Sequence, residues 1–338
     1  DETVTNGGVT STLLTIETTL LDGGFRNAQF AAARAQLRSA TALAQQRRAD
    51  LAHAVRTAYF TALAAKAQGS IQADTLRTLH DYIELLRRQE TLGLVPHNDV
   101  LRAQLAQETA RTSARASAAD LAATANELTL LTGADIAVTS LSEPGAIATP
   151  VPTAALVDAS PVLADARAAV DAAERATDAA RSERRGHLTL SASGGALGVQ
   201  PGPTFRDNTG GQFLLGLTVP LYDASLGARV AAAEAATRTA EANLEQTRQT
   251  IQVALARAAT EAQRAHGDLG AWESALPVAQ EDFELMRARH LGGGNVRLLE
   301  VLDALNQYAD ARLHVPQALL AYRLAVATQD QVLGQVPQ

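Results

Sequence analysis

The sequence predicts a mainly helical protein with a smaller β portion, laid out as two tandem copies of strand followed by long antiparallel helical hairpin. Three observations carry this prediction. Apolar residues make up 46% of the 338 residues but aromatics only 4%, and the Ala and Leu that dominate them suit long, closely packed helices better than a thick mixed core. Sliding the sequence over itself gives one offset, 201, that persists without a gap from the first twenty residues to the last. In each copy a segment of period two also runs into a segment of three- and four-residue apolar spacing.

The repeat is carried by more than alanine. Leu14 falls on Leu215, Asp22 on Asp223, Gln45 on Gln246, Arg56 on Arg257, Gly69 on Gly270, Arg88 on Arg289, Gly93 on Gly294, Val100-Leu101 on Val301-Leu302 and Gly133 on Gly334. The expected organisation is a first repeat at 1–133, a linker at 134–160 rich in Pro, Ser and Thr, and a second repeat at 161–338. The counterpart of the segment from Ser160-Pro161 to Gly198 would lie about forty residues before Asp1, so the expectation is that a first helix and strand are missing from the first repeat.

Strands are expected at about 9–21, 187–197 and 211–221. In the first, Leu14, Ile16, Thr18 and Leu20 alternate with Thr15, Glu17 and Thr19; in the third, Phe213, Leu215, Leu217, Val219 and Leu221 alternate with Leu214, Gly216, Thr218 and Pro220. Strands of this length fit a tilted membrane-spanning strand, and a soluble sheet uses similar ones. After Asp22 the chain reads as helix to about Leu92, and after Asp223 to about Leu291. About seventy residues of helix reach roughly 105 Å. Pro277 removes a ladder donor, so a bend or break is expected there. The chain reverses at Leu92-Gly93-Leu94-Val95-Pro96 and again at Gly292-Gly293-Gly294-Asn295, where glycine and proline stop a helix. Return helices follow, from about Asn98 to Thr132 and from about Arg297 to Gly334.

Composition excludes several classes of function. A net charge of −7, with 28 arginines and one lysine scattered among acidic residues, disfavours nucleic acid as a partner. The absence of cysteine removes disulfide, thiolate-metal and Cys-nucleophile chemistry. The seven histidines show no ligand spacing, and no phosphate loop, nucleophile elbow or paired-carboxylate motif is present. No enzyme, no metal and no cofactor are expected. No apolar run is long enough for a transmembrane helix, which leaves a β-barrel open. Because an open sheet edge is not tolerated in lipid, a membrane reading requires several protomers to share one barrel.

At the residues Leu92-Gly93-Leu94-Val95 through Asp99-Val100 with Ala103, and Gly294 through Glu300-Val301-Leu302-Asp303-Ala304, the chain resembles the TolC-like outer-membrane channel-tunnel family, the outer-membrane efflux proteins. Val219-Pro220-Leu221-Tyr222-Asp223 before an Ala-rich helix looks like the same family's strand-to-helix junction. The resemblance implies a homotrimer whose strands form a twelve-stranded barrel in the outer membrane of a Gram-negative bacterium, with the helices forming an α-barrel tunnel in the periplasm. Three strands per protomer would give nine, a departure from that pattern.

The resemblance also implies partners and sites. The partners are a periplasmic adaptor (membrane fusion protein) and an inner-membrane RND, ABC or MFS transporter, and the function is passive conduction of substrates in efflux or type I secretion. Glu300 and Asp303 match acidic residues that line the tunnel entrance, where three copies would form a ring; acidic residues in a first helical turn also simply complement the dipole. Asp99 matches a polar residue of the first tip, but the family's Tyr and Arg partners fall here on Leu291 and Val296, leaving Arg297 or Arg289 as substitutes. The tips Leu92, Gly93, Leu94, Val95 and Gly292, Gly293, Gly294 match the adaptor-docking region. Trp272 is expected to pack within the tunnel wall. The competing reading is a soluble periplasmic coiled-coil scaffold or adaptor-like protein.

Overall fold

A computed structural model describes residues 9–137, 140–144, 154–199, 209–221, 223–292 and 296–336. Tyr222 of the junction motif, Gly293 and Gly294 of the second tip, and most of the loop joining the second and third strands lie outside the described residues. The elements run β1 (Val9–Leu21), α1 (Phe25–Thr91), α2 (His97–Thr132), α3 (Ala154–Asp158), α4 (Pro161–Ser182), a 3₁₀ turn (Glu183–Arg185), β2 (His187–Val199), β3 (Thr209–Thr218), α5 (Ala224–Leu291) and α6 (Leu298–Leu333). Two expectations need correction. β3 stops at Thr218, because Pro220 has no N–H to extend a ladder, instead of reaching 221. Of the bend or break expected at Pro277, the break is absent: α5 runs without interruption from Ala224 to Leu291, and the helix on both sides outweighs one lost ladder bond.

The chain forms two compact units, 1–43 with 162–248, and 44–161 with 249–338, so each unit draws on both repeats. In the first, β1, β2 and β3 make an antiparallel sheet in the order β1-β2-β3. Two helix starts follow strand ends in a common way. Asp22 accepts from Gly24 N (3.0 Å), Arg26 N (3.1 Å) and Arg26 Nε (2.8 Å), and Asp223 accepts from Ser225 N (2.8 Å). These are capping interactions that satisfy donors at a helix N-terminus. Antiparallel packing of α4 against α1 and α5 is fixed by Ser39 donating to Asp165 (2.5 Å), the Arg38–Asp171 pair and Arg181 donating to Glu234 (2.7 Å).

Hydrogen bonds from Arg26 and from Ser225 hold the Asp22 and Asp223 carboxyls below the usual carboxylate range. Their contribution is therefore complete above the unfolded value of about 4 and is lost only as pH falls through the lower native values. Thermal unfolding followed by helical circular dichroism should give a flat midpoint between pH 5 and 8 from this source. A decline should begin below about pH 4, and it should flatten in the Asp22→Asn/Asp223→Asn double variant.

In the second unit α5 buries Ile251, Leu255, Ala258, Ala262, Ala265 and Leu269, an alternation of four and three that is the seam of a left-handed coiled coil. Its antiparallel partner α6 supplies Tyr322 beside His266 (5.3 Å), His314 stacked on Trp272 (4.1 Å) and Tyr308 stacked on Phe283 (5.9 Å). Helix α1 lies antiparallel to α6 through Arg56–Asp330 (2.6 Å) and Arg312–Asp74 (3.0 Å). The described part of the linker is clasped on these helices. Leu141 is buried, its carbonyl accepts from Lys66 Nζ (2.9 Å), Tyr59 donates to the Ser142 carbonyl (2.6 Å), and Glu143 pairs with the buried Arg323, whose guanidinium sits 5.5 Å from the Phe60 ring.

Candidate functional site

The first reversal is built by glycine. Gly93 adopts φ +70°, Gly93 N donates to Glu90 O (2.9 Å) and Leu94 N to Gln89 O (2.9 Å), which is the Schellman end of α1. Pro96 then caps α2 in extended conformation. Leu92 and Leu94 are left 72% and 69% exposed. His97 Nδ1 meets Glu90 Oε1 at 2.6 Å, tying the two arms across the turn. The second reversal has a different tie: His290 Nδ1 lies 2.7 Å from the Val296 carbonyl oxygen, joining the end of α5 to the entry of α6. Of the three second-tip glycines in the motif, only Gly292 is described; its N–H donates to Ala288 O (3.0 Å).

A shared core explains which side chains of the tip face out. Leu79, Tyr82, Ile83 and Leu86 of α1, Val100 and Ala103 of α2, Phe283 of α5, and Leu298, Val301, Ala304 and Leu305 of α6 form one buried cluster. With 298, 301, 304 and 305 inward, helical periodicity turns Glu300 and Asp303 outward, and both are exposed. Glu300 accepts from Arg297 Nε (3.2 Å) and Asp303 from Gln307 Nε2 (3.0 Å). Arg297 and Asp99 line one cavity of about 390 Å³ together with Leu94, Val95, Arg102 and His290, but among the described residues no ion pair joins Asp99 to Arg297. Arg297 instead pairs with Glu300 one turn along its own helix. Burial pushes the Tyr82 hydroxyl well above its ordinary range, with Arg287 opposing and Asp99 adding to the effect.

Sequence reasoning missed both histidine ties. Their partners lie seven and six residues away across a chain reversal, a spacing that belongs to no helical or metal motif.

The other functional surface is the sheet. Residues paired across antiparallel strands share a face, and the pairing Ile16↔Ala192↔Phe213, Thr18↔Leu190↔Leu215 and Leu188↔Leu217 collects most of the large apolar side chains on one side, Leu13 and Leu214 lying on the other. The opposite side carries Thr15↔Ser193↔Gln212, Glu17↔Ser191↔Leu214 and Thr19↔Thr189↔Gly216. The apolar side is exposed, with Phe213 at 84%. A water-facing sheet would bury such a surface; alternation of apolar-out and polar-in is what a barrel wall in lipid requires. Among the described residues no helix is long and apolar enough to cross a membrane. Strand ends and helix starts also enclose a cavity of about 550 Å³, lined by Asp22, Arg26, Glu183, His187, Asp223 and Arg229 among others.

A sheet with an apolar outer and a polar inner face, in a chain that continues into coiled-coil hairpins, defines a membrane channel extended by a helical tunnel. The chain matches the profile of outer membrane efflux proteins over residues 2–134 and 154–335 and belongs to that family. Its fold is similar to a membrane protein from Pseudomonas aeruginosa (TM-score 0.84, 19% identity, covering 98% of this chain and 83% of that one). It is likewise similar to CusC, a protein that forms a transmembrane channel (0.87, 20%, 98% and 82%), and to the outer membrane protein VceC from Vibrio cholerae (0.83, 19%, 98% and 87%). No curated protein matches the chain by sequence. The protein is an outer-membrane exit duct for efflux, in a family of homotrimeric channels that work with adaptors and inner-membrane pumps and extend into the periplasm; it is a transport family, not an enzyme family.

Proposed function

We propose that three copies of this chain form one passive duct across the outer membrane of a Gram-negative bacterium. A periplasmic adaptor docks on the tips, and an inner-membrane transporter of the RND, ABC or MFS type hands over the substrate. The observation that carries the reading is the sheet, whose strongly apolar face is exposed and whose edge strands have no partner within the chain among the described residues. Neighbouring protomers pair the edges and so close a wall whose apolar face meets lipid. Duplicated boundaries support repeats at 1–133 and 161–338 about a linker at 134–160: Pro96 and Arg297 cap α2 and α6 at φ −73° and −81°, and Gly133 and Gly334 end them at φ +69° and +68°.

At the tips, Leu92, Gly93, Leu94 and Val95, with Gly292, Gly293 and Gly294, receive the adaptor. Exposed leucines give an apolar hold and glycines allow close approach. Three Glu300 and three Asp303 ring the entrance and concentrate cations there, while Asp99 and Arg297 supply polar contacts beside them.

Mass in detergent and planar-bilayer conductance test the reading. A detergent-dependent trimer that conducts is expected, and a water-soluble monomer or dimer would leave only a coiled-coil scaffold. Glu300→Gln/Asp303→Asn should lower the cation-to-anion permeability ratio several-fold in 0.1 M salt, with a smaller effect in 1 M salt; an unchanged ratio would remove the ring. A cysteine at Leu94 should crosslink to the adaptor, and a working pump without any adduct would remove the docking assignment.

A further inference from the structure

We propose that α5 of each protomer packs antiparallel on α2 of the next, so that the outer faces of these two helices are the two halves of one head-to-tail contact. The assignment rests on the reading that three copies make the duct. Within the chain, α5 buries the seam Ile251, Leu255, Ala258, Ala262, Ala265 and Leu269. Val253, Val278 and Leu285 stand on the opposite side of that helix and are exposed. Helix α2 is built alike: Val100, Ala103 and Leu128 are buried in clusters with α1, and Leu101, Leu105 and Leu130 stand opposite them and are exposed. Among the described residues these six are the only exposed large apolar side chains of the two helices, which marks both faces for a protein partner.

The internal repeat identifies that partner as a second protomer. Inside the chain the long helix of the first repeat, α1, lies antiparallel on the return helix of the second, α6, with Arg56 on Asp330 and Asp74 on Arg312. Leu320 and Leu324 pack on α1 in that contact, and Gln331 donates to Asp50 (3.1 Å). The converse contact would set α5 of the second repeat on α2 of the first. Moved by the offset of 201, Leu320, Leu324 and Gln331 fall on Ala119, Ala123 and Leu130 of α2, and Arg56 and Leu63 fall on Arg257 and Arg264 of α5. All five are exposed, so the sides that would make the converse contact lie uncovered within the chain.

The register of α1 on α6, carried over in the same way, sets Leu285 opposite Leu101 and brings Val278 and Val253 within one turn of Leu105 and Leu130. All six exposed apolar residues thereby find a partner. Arg257 and Arg264 come within one turn of Glu127 and Asp120, so the charges beside the apolar stripes are complementary. Gly267 falls opposite Ala119; a Cβ on this glycine would meet nothing within 4 Å inside the chain, and its small size matters only where another backbone approaches. Unlike faces joined head to tail carry the contact from protomer to protomer and close as a ring.

The chain has no cysteine, so single cysteines can be placed in two differently tagged chains, co-expressed, and joined with a short bis-maleimide in the purified assembly. Val253→Cys in one chain with Leu130→Cys in the other, and Val278→Cys with Leu105→Cys, should each give an adduct carrying both tags. The exchanged pair, Val253→Cys with Leu105→Cys, stands about 40 Å apart along the helices and should give none. Adducts between chains that carry the same cysteine would mean that like faces meet, and would overturn the proposal. So would a trimer of normal mass without mixed adducts, which would leave the duct reading intact and assign the two stripes to the adaptor or the tunnel interior. Recovery of trimer is a second measurement: Leu130→Glu should lower it about ten-fold, and adding Val253→Lys should restore most of it. An undiminished yield for Leu130→Glu, or a loss that Val253→Lys leaves unchanged, also overturns the pairing. Mixed adducts in an assembly that never conducts would uphold the contact and overturn the duct reading instead.

Discussion

Leu190→Arg should prevent assembly into the membrane, whereas Ser191→Arg, one residue on, should be tolerated. Leu190 is the middle of the row Thr18↔Leu190↔Leu215 on the apolar face, and Ser191 the middle of Glu17↔Ser191↔Leu214 on the polar face. A guanidinium on the lipid side costs about 2–4 kcal/mol at the bilayer midplane and less toward either interface, and a trimer carries three of them. On the polar face the guanidinium introduced by Ser191→Arg would stand in water, opposite Glu17, where a cross-strand pair of opposite charges is neutral to favourable. The amount of trimer recovered from outer membranes measures the difference. A loss of ten-fold or more for Leu190→Arg with near-normal recovery of Ser191→Arg is expected; equal recovery of the two would mean that neither face meets lipid.

That contrast also locates what could be read in advance. The alternation in 14–20 and 213–217 was visible as sequence, because period two is a property of each strand alone. The register was not: it brings Ile16 opposite Ala192 and Ala192 opposite Phe213, and it shifts between Thr19 and Leu21. Helices α1, α2, α5 and α6 were legible to within a few residues, since their apolar seams and their stopping glycines are local signals. That Pro277 does not break α5 was not legible, because a proline's cost is local while the packing that opposes it, Trp272 on His314 and Phe283 on Tyr308, comes from a distant helix. At the tips, outward-facing Glu300 and Asp303 followed from helical spacing, but the pairing of Arg297 and the two histidine ties depend on how the chain turns back.

The repeat supplies its own control for the helix ends. Gly133 and Gly334 occupy equivalent positions with φ of +69° and +68°, a region where an alanine costs about 1–2 kcal/mol. Their surroundings differ. A Cβ on Gly133 would meet nothing within 4 Å, whereas on Gly334 it would overlap Pro161 Cδ and lie 2.5 Å from Pro161 Cγ. Those ring atoms cannot swing aside, because Pro161 opens α4 and its φ is fixed. Gly133→Ala should therefore lower stability by about 1 kcal/mol, and Gly334→Ala by about 3 kcal/mol or more, as overpacking adds to backbone strain. Denaturant midpoints of the detergent-solubilised protein read both. Combining Gly334→Ala with Pro161→Ala should return most of the steric part, since the two sites touch and their effects do not add. Equal losses at the two glycines would show that the contact between Gly334 and Pro161 yields to a methyl group, and that left-handed backbone conformation alone accounts for glycine at both ends.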